Sequence, residues 1–286
     1  MKISVIIPVY NEEKHIEECI QSILKNERTP DEILVADGGS SDHTIDIVSQ
    51  YPSIILLNNL ERTAAAGRNV ALSRSTGDII AFTDGDCIAR RNWLYEIERA
   101  FRTQPIDGLG GKVETAPFEN KYEEYWGTLA WKKIMNFGNE SYIVSKRTLN
   151  DAFVTANCAY RRDLLEQLNG FDTWFGNHAE DVDLCWRALK RGANLLYEPA
   201  AVIEAHSVTT IKGIRQKSFR NGVSSSKLQK RYGEPINYDW GIYKMWAENF
   251  VAFFHGVPDA GLNITELTWH LFGKYYGSIR YGVINI

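Results

Sequence analysis

Short apolar runs alternate with amphipathic stretches through the first hundred residues of the chain. The run Lys2–Val9 is rich in Ile and Val, which predicts a buried strand. Residues 12–25 then place apolar side chains on one face of a predicted helix. The alternation continues with predicted strands at Glu32–Ala36, Ile54–Leu57 and Asp78–Thr83, and with predicted helices at Thr44–Gln50, Ala64–Ser73 and Trp93–Arg102. This order indicates an α/β fold with a mostly parallel sheet, flanking helices and right-handed crossovers.

The pattern is less regular in the second half of the chain. It predicts strands at Leu109–Val113, Asp151–Tyr160 and Leu195–Ala205, and helices at Tyr122–Met135 and Asp181–Lys190. From about Ile214 the chain becomes basic, and aromatic residues recur at near-helical spacing. No Pro/Ser-rich linker separates these parts, so we expect one domain over residues 1–213 with a helical C-terminal extension over residues 214–286.

The composition is typical of a globular protein and limits the classes of partner. The hydrophobic fraction is 44%, the charged fraction is 24% and the formal net charge is −4, which predicts no general affinity for nucleic acid. None of the four cysteines has Cys-x-x-Cys spacing, so we expect no structural zinc site and reduced thiols. Since neither a signal peptide nor an apolar window of about 18 residues is found, we expect a cytoplasmic protein, with peripheral contact at the inner membrane face as a further option.

Polar clusters follow three of the predicted strands, at Pro8–Glu12, Asp37–Asp42 and Asp84–Asp86. Ligands of open α/β sheets bind outside the carboxyl ends of the strands, so these clusters are predicted to line one crevice. The two carboxylates of Asp84-Gly85-Asp86 repel each other unless a cation lies between them. Oxygen ligands of this kind suit Mg²⁺ or Mn²⁺, although a solvated acidic loop has the same pattern.

Further candidates lie at predicted strand and helix ends. Asp181, with Glu180, begins a helix and is either a general base or a partner of the helix dipole. His206 closes a strand and is either structural or a metal ligand. Arg68 is either a contact to phosphate or base or a surface arginine, and Asp37 is either a contact to base or ribose or part of a plain turn.

An ordered set of motifs resembles the inverting glycosyltransferase family 2, which has the GT-A fold. The set spans roughly residues 1–210, and its order makes it more specific than any single motif. The stretches that carry the resemblance are Val5–Glu13, Ile33–Asp42, Gly67-Arg68-Asn69, Thr76–Asp86, Gly170-Phe171-Asp172 and Glu180–Arg187. One departure is Ala36, where many members carry an acid, and this leaves the base selectivity open.

The resemblance implies roles on the donor side of the site. Pro8, Tyr10 and Glu12 are expected to line the nucleotide pocket, with Tyr10 near the base. Asp37 and Arg68 are expected to be the pair that contacts the base. Residues 1–110 would then be the half that binds the nucleotide-sugar, and residues 111–213 the half that binds the acceptor.

The resemblance also implies the chemistry. Asp84 and Asp86 are expected to contact the ribose and the metal, and His206 is similar to a histidine that ligates the metal in part of the family. Asp181 is expected to be the catalytic base, with Glu180 positioning the acceptor. The implied reaction is Mn²⁺- or Mg²⁺-dependent transfer from a nucleotide-sugar, with UDP favoured, to a glycan, a lipid-linked or a small-molecule acceptor.

Two rival functions use parts of the same pattern. A nucleotidyltransferase also uses carboxylates and Mg²⁺, but it usually has a glycine-rich phosphate loop near the N-terminus, which Tyr10-Asn11-Glu12-Glu13 lacks. A catalytically inactive sugar- or lipid-binding protein would have lost the acids, all of which are present. Arg215–Gly222 only loosely matches the basic-aromatic motif of processive members, so a processive synthase is not expected. The extension itself would contact a membrane, a second subunit or the core.

Overall fold

The structure, a computed structural model, describes residues 1–131, 138–145, 148, 152–233 and 240–285. Its contacts divide the chain into two compact units. The sheet unit comprises Met1–Ala116 and Ile134–His206, and the helical unit comprises Pro117–Lys133 and Ser207–Ile286. The predicted α/β sheet with flanking helices and C-terminal helices is present.

Nine strands form one sheet in the described part of the sheet unit. The first four in chain order are parallel and lie in the order β3-β2-β1-β4, as the alternating pattern predicts. Beyond β4, strand β8 pairs antiparallel with both β4 and β6, and β9 pairs parallel with β6. Strands β5 and β7 both pair antiparallel with β9. The strands are β1 Ile3–Val9, β2 Glu32–Asp37, β3 Ile54–Asn58, β4 Ile79–Phe82, β5 Cys87–Ala89, β6 Gly108–Thr115, β7 Tyr142–Val144, β8 Cys158–Arg161 and β9 Leu195–Ala205.

Six helices of the sheet unit are described. They are α1 Ile16–Leu24, α2 Thr44–Val48, α3 Ala64–Arg74, α4 Trp93–Thr103, α6 Arg162–Gln167 and α7 Glu180–Lys190, with α5 lying in the helical unit. The apolar faces of α3, α6 and α7 share one core cluster with the central strands. Its members include Ile6, Leu34, Ala71, Phe82, Tyr160, Leu165, Phe171 and Leu184.

The strand predicted at Asp151–Tyr160 is present only as β8. Asp151 lies outside the described residues, and the backbone N–H of Asn157 closes a turn onto the carbonyl of Val154. The buried side chain of Asn157 donates to the carbonyls of Lys112 and Ala201 at 2.8 and 2.9 Å. This side chain therefore supplies hydrogen bonds where the β6–β9 register shifts after Gly111.

The helical unit consists of α5 Lys121–Tyr125, a π-helical segment Trp126–Trp131, α8 Ile211–Tyr232, α9 Trp240–Phe254 and α10 Ala260–Tyr281. Residues 132–135 of the helix predicted at Tyr122–Met135 lie outside the described residues. Helices α8 and α10 approach through glycines, because a Cβ on Gly222 would lie 2.1 Å from the carbonyl oxygen of His270. None of the helices in the described part of the chain combines the length and the apolar character that a membrane span requires.

Candidate active site

Two loops after β1 and β2 are joined by hydrogen bonds between them. We call residues 10–13 and 38–44 the paired loops. The backbone N–H of Asn11 donates to Ser40 Oγ, and Ser41 N–H donates to Asn11 Oδ1, both at 2.8 Å. Glu13 N–H donates to Asp42 Oδ2 at 3.1 Å. The parallel pairing of β1 with β2 places the two loops side by side, so hydrogen bonds join them at the strand ends where the crevice is predicted.

Asp37 and Tyr10 have different environments at the ends of β1 and β2. Asp37 is buried, and its carboxylate accepts hydrogen bonds from the backbone N–H groups of Gly39 and Ser40. Tyr10 is 57% exposed, whereas Pro8 is half-buried in β1. Asp37 thus shapes its own loop, and Tyr10 presents an accessible aromatic face.

Asp84-Gly85-Asp86, which we call the acidic turn, follows β4 and lies against Glu12. A Cβ on Gly85 would lie 3.2 Å from Cγ of Glu12, so glycine permits this close packing. Burial, followed by the negative charges of Asp86, Asp84 and Asp42, raises the pKa of Glu12 to about 8. Negative charge is therefore concentrated at the turn, and its carboxylate oxygens suit a hard divalent cation such as Mg²⁺ or Mn²⁺.

Arg68 joins the acidic turn to the start of α7. Its buried guanidinium donates from Nη2 to Asp84 Oδ1 and from Nη1 to Glu180 Oε1, both at 2.8 Å. It also lies over the ring of Phe171, with Cζ 5.5 Å from the centroid. In the structure Arg68 is bound to two carboxylates, and the carboxylate of Asp37 is bound to its own loop. The base contact of Arg68 stays a prediction.

Asp181 lies in the first turn of α7, after Ala179 in the left-handed conformation. Glu180 is buried and Asp181 is half-buried. Burial, and after it the charge of Glu180, raises the pKa of Asp181 to about 7, although the hydrogen bond from the N–H of Val182 acts in the opposite direction. A carboxyl group with this pKa exchanges its proton near neutral pH, as general-base chemistry requires.

Two polar clamps hold the segments around α7. Asn69 Nδ2 donates to the carbonyl of Phe171, and Phe171 N–H donates back to Asn69 Oδ1, both at 2.8 Å. Arg187 pairs with buried Asp183 at 2.7 Å and donates to the carbonyl of Gly170 at 3.0 Å. Asp183 therefore binds Arg187 within α7, and the Gly170–Phe171 motif is hydrogen-bonded to both Asn69 and Arg187.

The backbone of His206 contacts the acidic turn, whereas its ring contacts His15 and Glu18. Its N–H donates to the carbonyl of Asp86 at 2.9 Å. Its imidazole stacks on His15 with 4.0 Å between ring centroids, and its Nε2 lies 3.3 Å from Glu18 Oε2. Among the residues that the structure describes, one group of three His, Cys, Asp or Glu ligand atoms lies mutually within 4.8 Å, and it consists of His15, Glu18 and His206.

The predicted ligands of the donor ion thus fall into two places. Asp84 and Asp86 share the acidic turn with Glu12, and the His206 ring belongs to the group with His15 and Glu18. The sequence analysis did not single out His15 or Glu18. His15 is the N-cap residue of α1 and Glu18 lies in its first turn, and their spacing of three residues at a helix start is a signal that could have found them.

Comparison with known proteins gives a consistent family. The glycosyl transferase family 2 model matches residues 4–168. Glycosyltransferase AglE of Haloferax volcanii is 31% identical over 232 residues, which cover 77% of this chain and 71% of AglE. Pre-mycofactocin glycosyltransferase of Mycobacterium tuberculosis is 28% identical over 252 residues, which are 85% of this chain but 52% of that protein. The match therefore spans about half the length of that second relative.

Solved structures share the fold at lower identity. Residues 1–349 of S. aureus TarS in complex with UDP give a TM-score of 0.57 at 18% identity, covering 99% of this chain and 92% of that one. Glucosyl-3-phosphoglycerate synthase of Mycobacterium tuberculosis, in complex with Mn²⁺, UDP-glucose and phosphoglyceric acid, gives 0.59 at 20% identity and covers 82% and 80%. These similarities confirm the predicted fold class.

Proposed function

The chain belongs to glycosyl transferase family 2 and is a glycosyltransferase, and on that premise we propose that it transfers a sugar from a UDP-sugar to an acceptor hydroxyl with inversion. The observation that carries the proposal is the Arg68 bridge, because it joins a carboxylate turn suited to a diphosphate-bound cation to a helix start with a proton-accepting carboxyl. UDP is favoured because TarS is found with UDP-GlcNAc, and the mycobacterial synthase with UDP-glucose.

The donor occupies the crevice above the paired loops in this proposal. Tyr10 stacks on the base, and Pro8, Glu12 and Asp37 line the pocket. The exposed ring of Tyr10 and the buried, loop-bound carboxylate of Asp37 support these roles. Arg68 acts on the donor through Asp84, whose carboxylate it holds in place.

Asp84 and Asp86 hold the divalent ion in this proposal, and the charge concentrated around Glu12 supports it. When bound, Mn²⁺ or Mg²⁺ supplies Lewis-acid neutralisation of the leaving diphosphate. The Mn²⁺ in the mycobacterial synthase complex supports the choice of ion. His206 as a further ligand of this ion is part of the same hypothesis, and it requires the His206 ring to leave Glu18.

Asp181 moves the proton. Its carboxylate accepts the proton of the acceptor hydroxyl, and the oxygen then attacks the anomeric carbon from the face opposite the diphosphate. The bond from that carbon to the diphosphate oxygen breaks, and its electron pair leaves with the diphosphate. Glu180 positions the acceptor side of the site, since its own carboxylate is fixed by Arg68.

The functional division of the chain follows from the same proposal. Residues 1–110 bind the donor, residues 111–213 bind the acceptor and residues 214–286 form the extension. Exposed aromatic side chains on α9, at Phe250, Phe253 and Phe254, favour peripheral contact of the extension with a membrane interface. Co-sedimentation with anionic liposomes should fall in a Phe253→Ser/Phe254→Ser variant; a change in oligomeric state instead would assign this surface to a second subunit.

A nucleotide-sugar screen by thermal shift tests the donor proposal. We expect UDP-sugars to raise Tm in the presence of Mn²⁺ or Mg²⁺, and we expect the rise to disappear with EDTA. Asp86→Ala should abolish this metal-dependent binding because it removes one of two proposed carboxylate ligands, whereas Asp46→Ala, an exposed residue on α2, should not. Unchanged metal-dependent binding in Asp86→Ala would count against the proposal.

A further inference from the structure

The side chain of Arg62, which follows β3, has no role in the proposed function and lies against one of the paired loops. A Cβ on Gly39 would lie 3.3 Å from Nε, 3.4 Å from Cζ and 3.5 Å from Nη2 of Arg62. Because these three atoms are nearly equidistant from that point, the guanidinium presents its face, rather than one edge, to Gly39. The cation of Arg62 is therefore part of the surface that the loop offers to a ligand.

Hydrogen bonds fix the backbone around Arg62 to the end of β2. The N–H of Asn59 donates to the carbonyl of Asp37 at 2.8 Å, and the N–H of Arg62 donates to the carbonyl of Asn59 at 3.1 Å. The side-chain amide of Asn59 donates to the carbonyl of Thr63 at 2.8 Å. Arg62 itself has a φ of 57°, a left-handed conformation that residues other than glycine adopt infrequently. The turn thus holds a long cationic side chain at a defined place beside the loop.

The strand order places Arg62 at the base end of the proposed donor. The strands lie in the order β3-β2-β1-β4, and neighbours are about 4.8 Å apart, so the ends of β3 and β4 are separated by about 14 Å. A nucleoside diphosphate carries its base and its phosphates at opposite ends. With the diphosphate at the acidic turn after β4, the base lies toward β2 and β3, where Tyr10 adjoins Gly38 and Arg62 adjoins Gly39.

Arg62 and Arg68 differ in how far their charges are already used. Arg68 is buried and donates to Asp84 and Glu180. Arg62 is exposed, and within the part of the chain that the structure describes it forms no ion pair with a carboxylate. The N–H groups of a guanidinium lie in its plane, and this plane faces the loop, so they are directed across the loop surface rather than into it. Arg62 can therefore donate to the edge of a base that lies on the paired loops.

We propose that Arg62 is a specificity-determining residue of the donor site, which donates to the O4 carbonyl of uracil while Asp37 accepts from the ring N–H beside it. This inference rests on the proposed function. A carboxylate has about four lone-pair sites, so Asp37 can accept a further donor besides the N–H groups of Gly39 and Ser40. Cytosine carries an amino group in the place of O4 and lacks the ring N–H, so both contacts are lost. The site therefore selects UDP over CDP.

Calorimetric titration of UDP and of CDP in the presence of Mn²⁺ tests the assignment. We expect the wild type to bind UDP more tightly than CDP, and Arg62→Met to bind UDP about tenfold more weakly, the lower end for a hydrogen bond to a charged group. The affinity for CDP should change less than about twofold, because an exposed charge this far from the phosphates is screened. Arg74→Met is the matched control, since it removes the same charge from an exposed arginine in the last turn of α3, and it should bind both nucleotides as the wild type does.

Initial rates with the UDP-sugar found by the thermal-shift screen provide a second measurement. Arg62→Met should raise KM for that donor about tenfold and leave kcat within about twofold, because the contact to the base is the same in the ground state and in the transition state. A tenfold loss in kcat with KM unchanged would place Arg62 at the reacting groups and overturn the assignment.

The titrations separate this inference from the proposed function. Equal weakening of UDP and CDP in Arg62→Met would mean that Arg62 acts on the phosphates, and equal affinity of the wild type and Arg62→Met for UDP would mean that it does not contact the nucleotide. Either result, or a wild type that binds UDP and CDP equally, overturns the assignment and leaves the proposed reaction standing. A wild type that binds neither UDP nor a UDP-sugar in the presence of metal would instead reject the proposed donor, and this inference with it.

Discussion

The acidic turn and the start of α7 both place two carboxylates within three residues, yet their surroundings differ. At the acidic turn, Asp84 and Asp86 act together on the pKa of Glu12, which rises to about 8 after its burial. At the start of α7, Glu180 is fixed by Arg68, and Asp181 is the carboxyl group with a raised pKa, about 7. In the proposed function, acidic residues therefore bind a cation at one place and exchange a proton at the other.

Arg68 accounts for much of this difference. Its single positive charge contacts one carboxylate in each region, so each region keeps one acid outside the ion pair. In the proposed function, Asp86 binds the cation together with Asp84, and Asp181, beside Glu180, accepts the proton. On the same proposal, the two acidic clusters differ in role because Arg68 binds Asp84 in one cluster and Glu180 in the other. The predictions below test that division.

The largest expected effect comes from removing the bridge. Arg68→Met should lower the free energy of unfolding by about 3–5 kcal/mol, because it leaves two carboxylates without their buried partner. Urea denaturation measures this loss. The control is Arg74→Met, an exposed arginine on the same helix, which should change stability by less than about 0.5 kcal/mol. Equal stability of the two variants would mean that the regions are not joined through Arg68.

Removing the proton acceptor should act on rate rather than on binding. We expect Asp181→Asn to lower turnover by about 100-fold or more, the scale of a lost general base, with donor affinity nearly unchanged. Initial rates and calorimetry measure the two quantities. Asp163→Asn makes the same change at the exposed start of α6 and should leave the rate unaltered. Near-normal turnover in Asp181→Asn would remove Asp181 from the mechanism.

The pH dependence of turnover should report the raised pKa of Asp181, about 7. Below that pH the carboxyl group is protonated and cannot accept the acceptor's proton, so turnover should fall about tenfold per pH unit. Above it the carboxylate is ionised, and turnover should be level. The residual activity of Asp181→Asn should lack this inflection, and an inflection that persists in the variant must come from another group.

The smallest expected effect is the stabilisation of the acidic turn by its ion. At ten times its dissociation constant, Mn²⁺ should add about 1.4 kcal/mol to the free energy of unfolding. The gain should disappear in Asp86→Asn and persist in Asp46→Asn, since Asp46 is an exposed acid on α2 outside the acidic turn. A gain that is equal in the wild type and Asp86→Asn would show that the turn is only a solvated loop.

The parallel half of the sheet was predictable because β1, β2 and β4 are buried on both faces, and the edge strand β3, although partly exposed, is also an apolar run. Such strands are near-continuous apolar runs, so β1 to β4 and β9 lie within one or two residues of their predicted bounds. β5 has only three residues, Cys87–Ala89, and exists by pairing with β9 more than a hundred residues later. No local pattern marks a strand of that length, and it was not predicted.

The sequence named candidate residues for the site, but it did not predict the contacts that these residues make. Asp84, Asp181 and Arg68 were named from their motifs, whereas the ion pair of Arg68 with Glu180 spans 112 positions. Periodicity carries no information on residues so far apart in sequence, so the sequence could not decide whether Arg68 contacts the donor or is a surface arginine. The stacking of His15 on His206 depends on how β9 meets α1, which the motifs do not describe.

The hydrogen bonds between the paired loops have a consequence for the thermodynamics of donor binding. Ordering one residue of a loose loop costs about 1–2 kcal/mol of conformational entropy. In this protein that entropy is already lost when β1 and β2 pair and Asn11, Ser40 and Ser41 bond to one another. In the proposed function the nucleotide meets this preorganised surface, and more of its contact energy appears as affinity. Replacing the side chain of Asn11 should therefore weaken nucleotide binding even if this side chain does not contact the ligand.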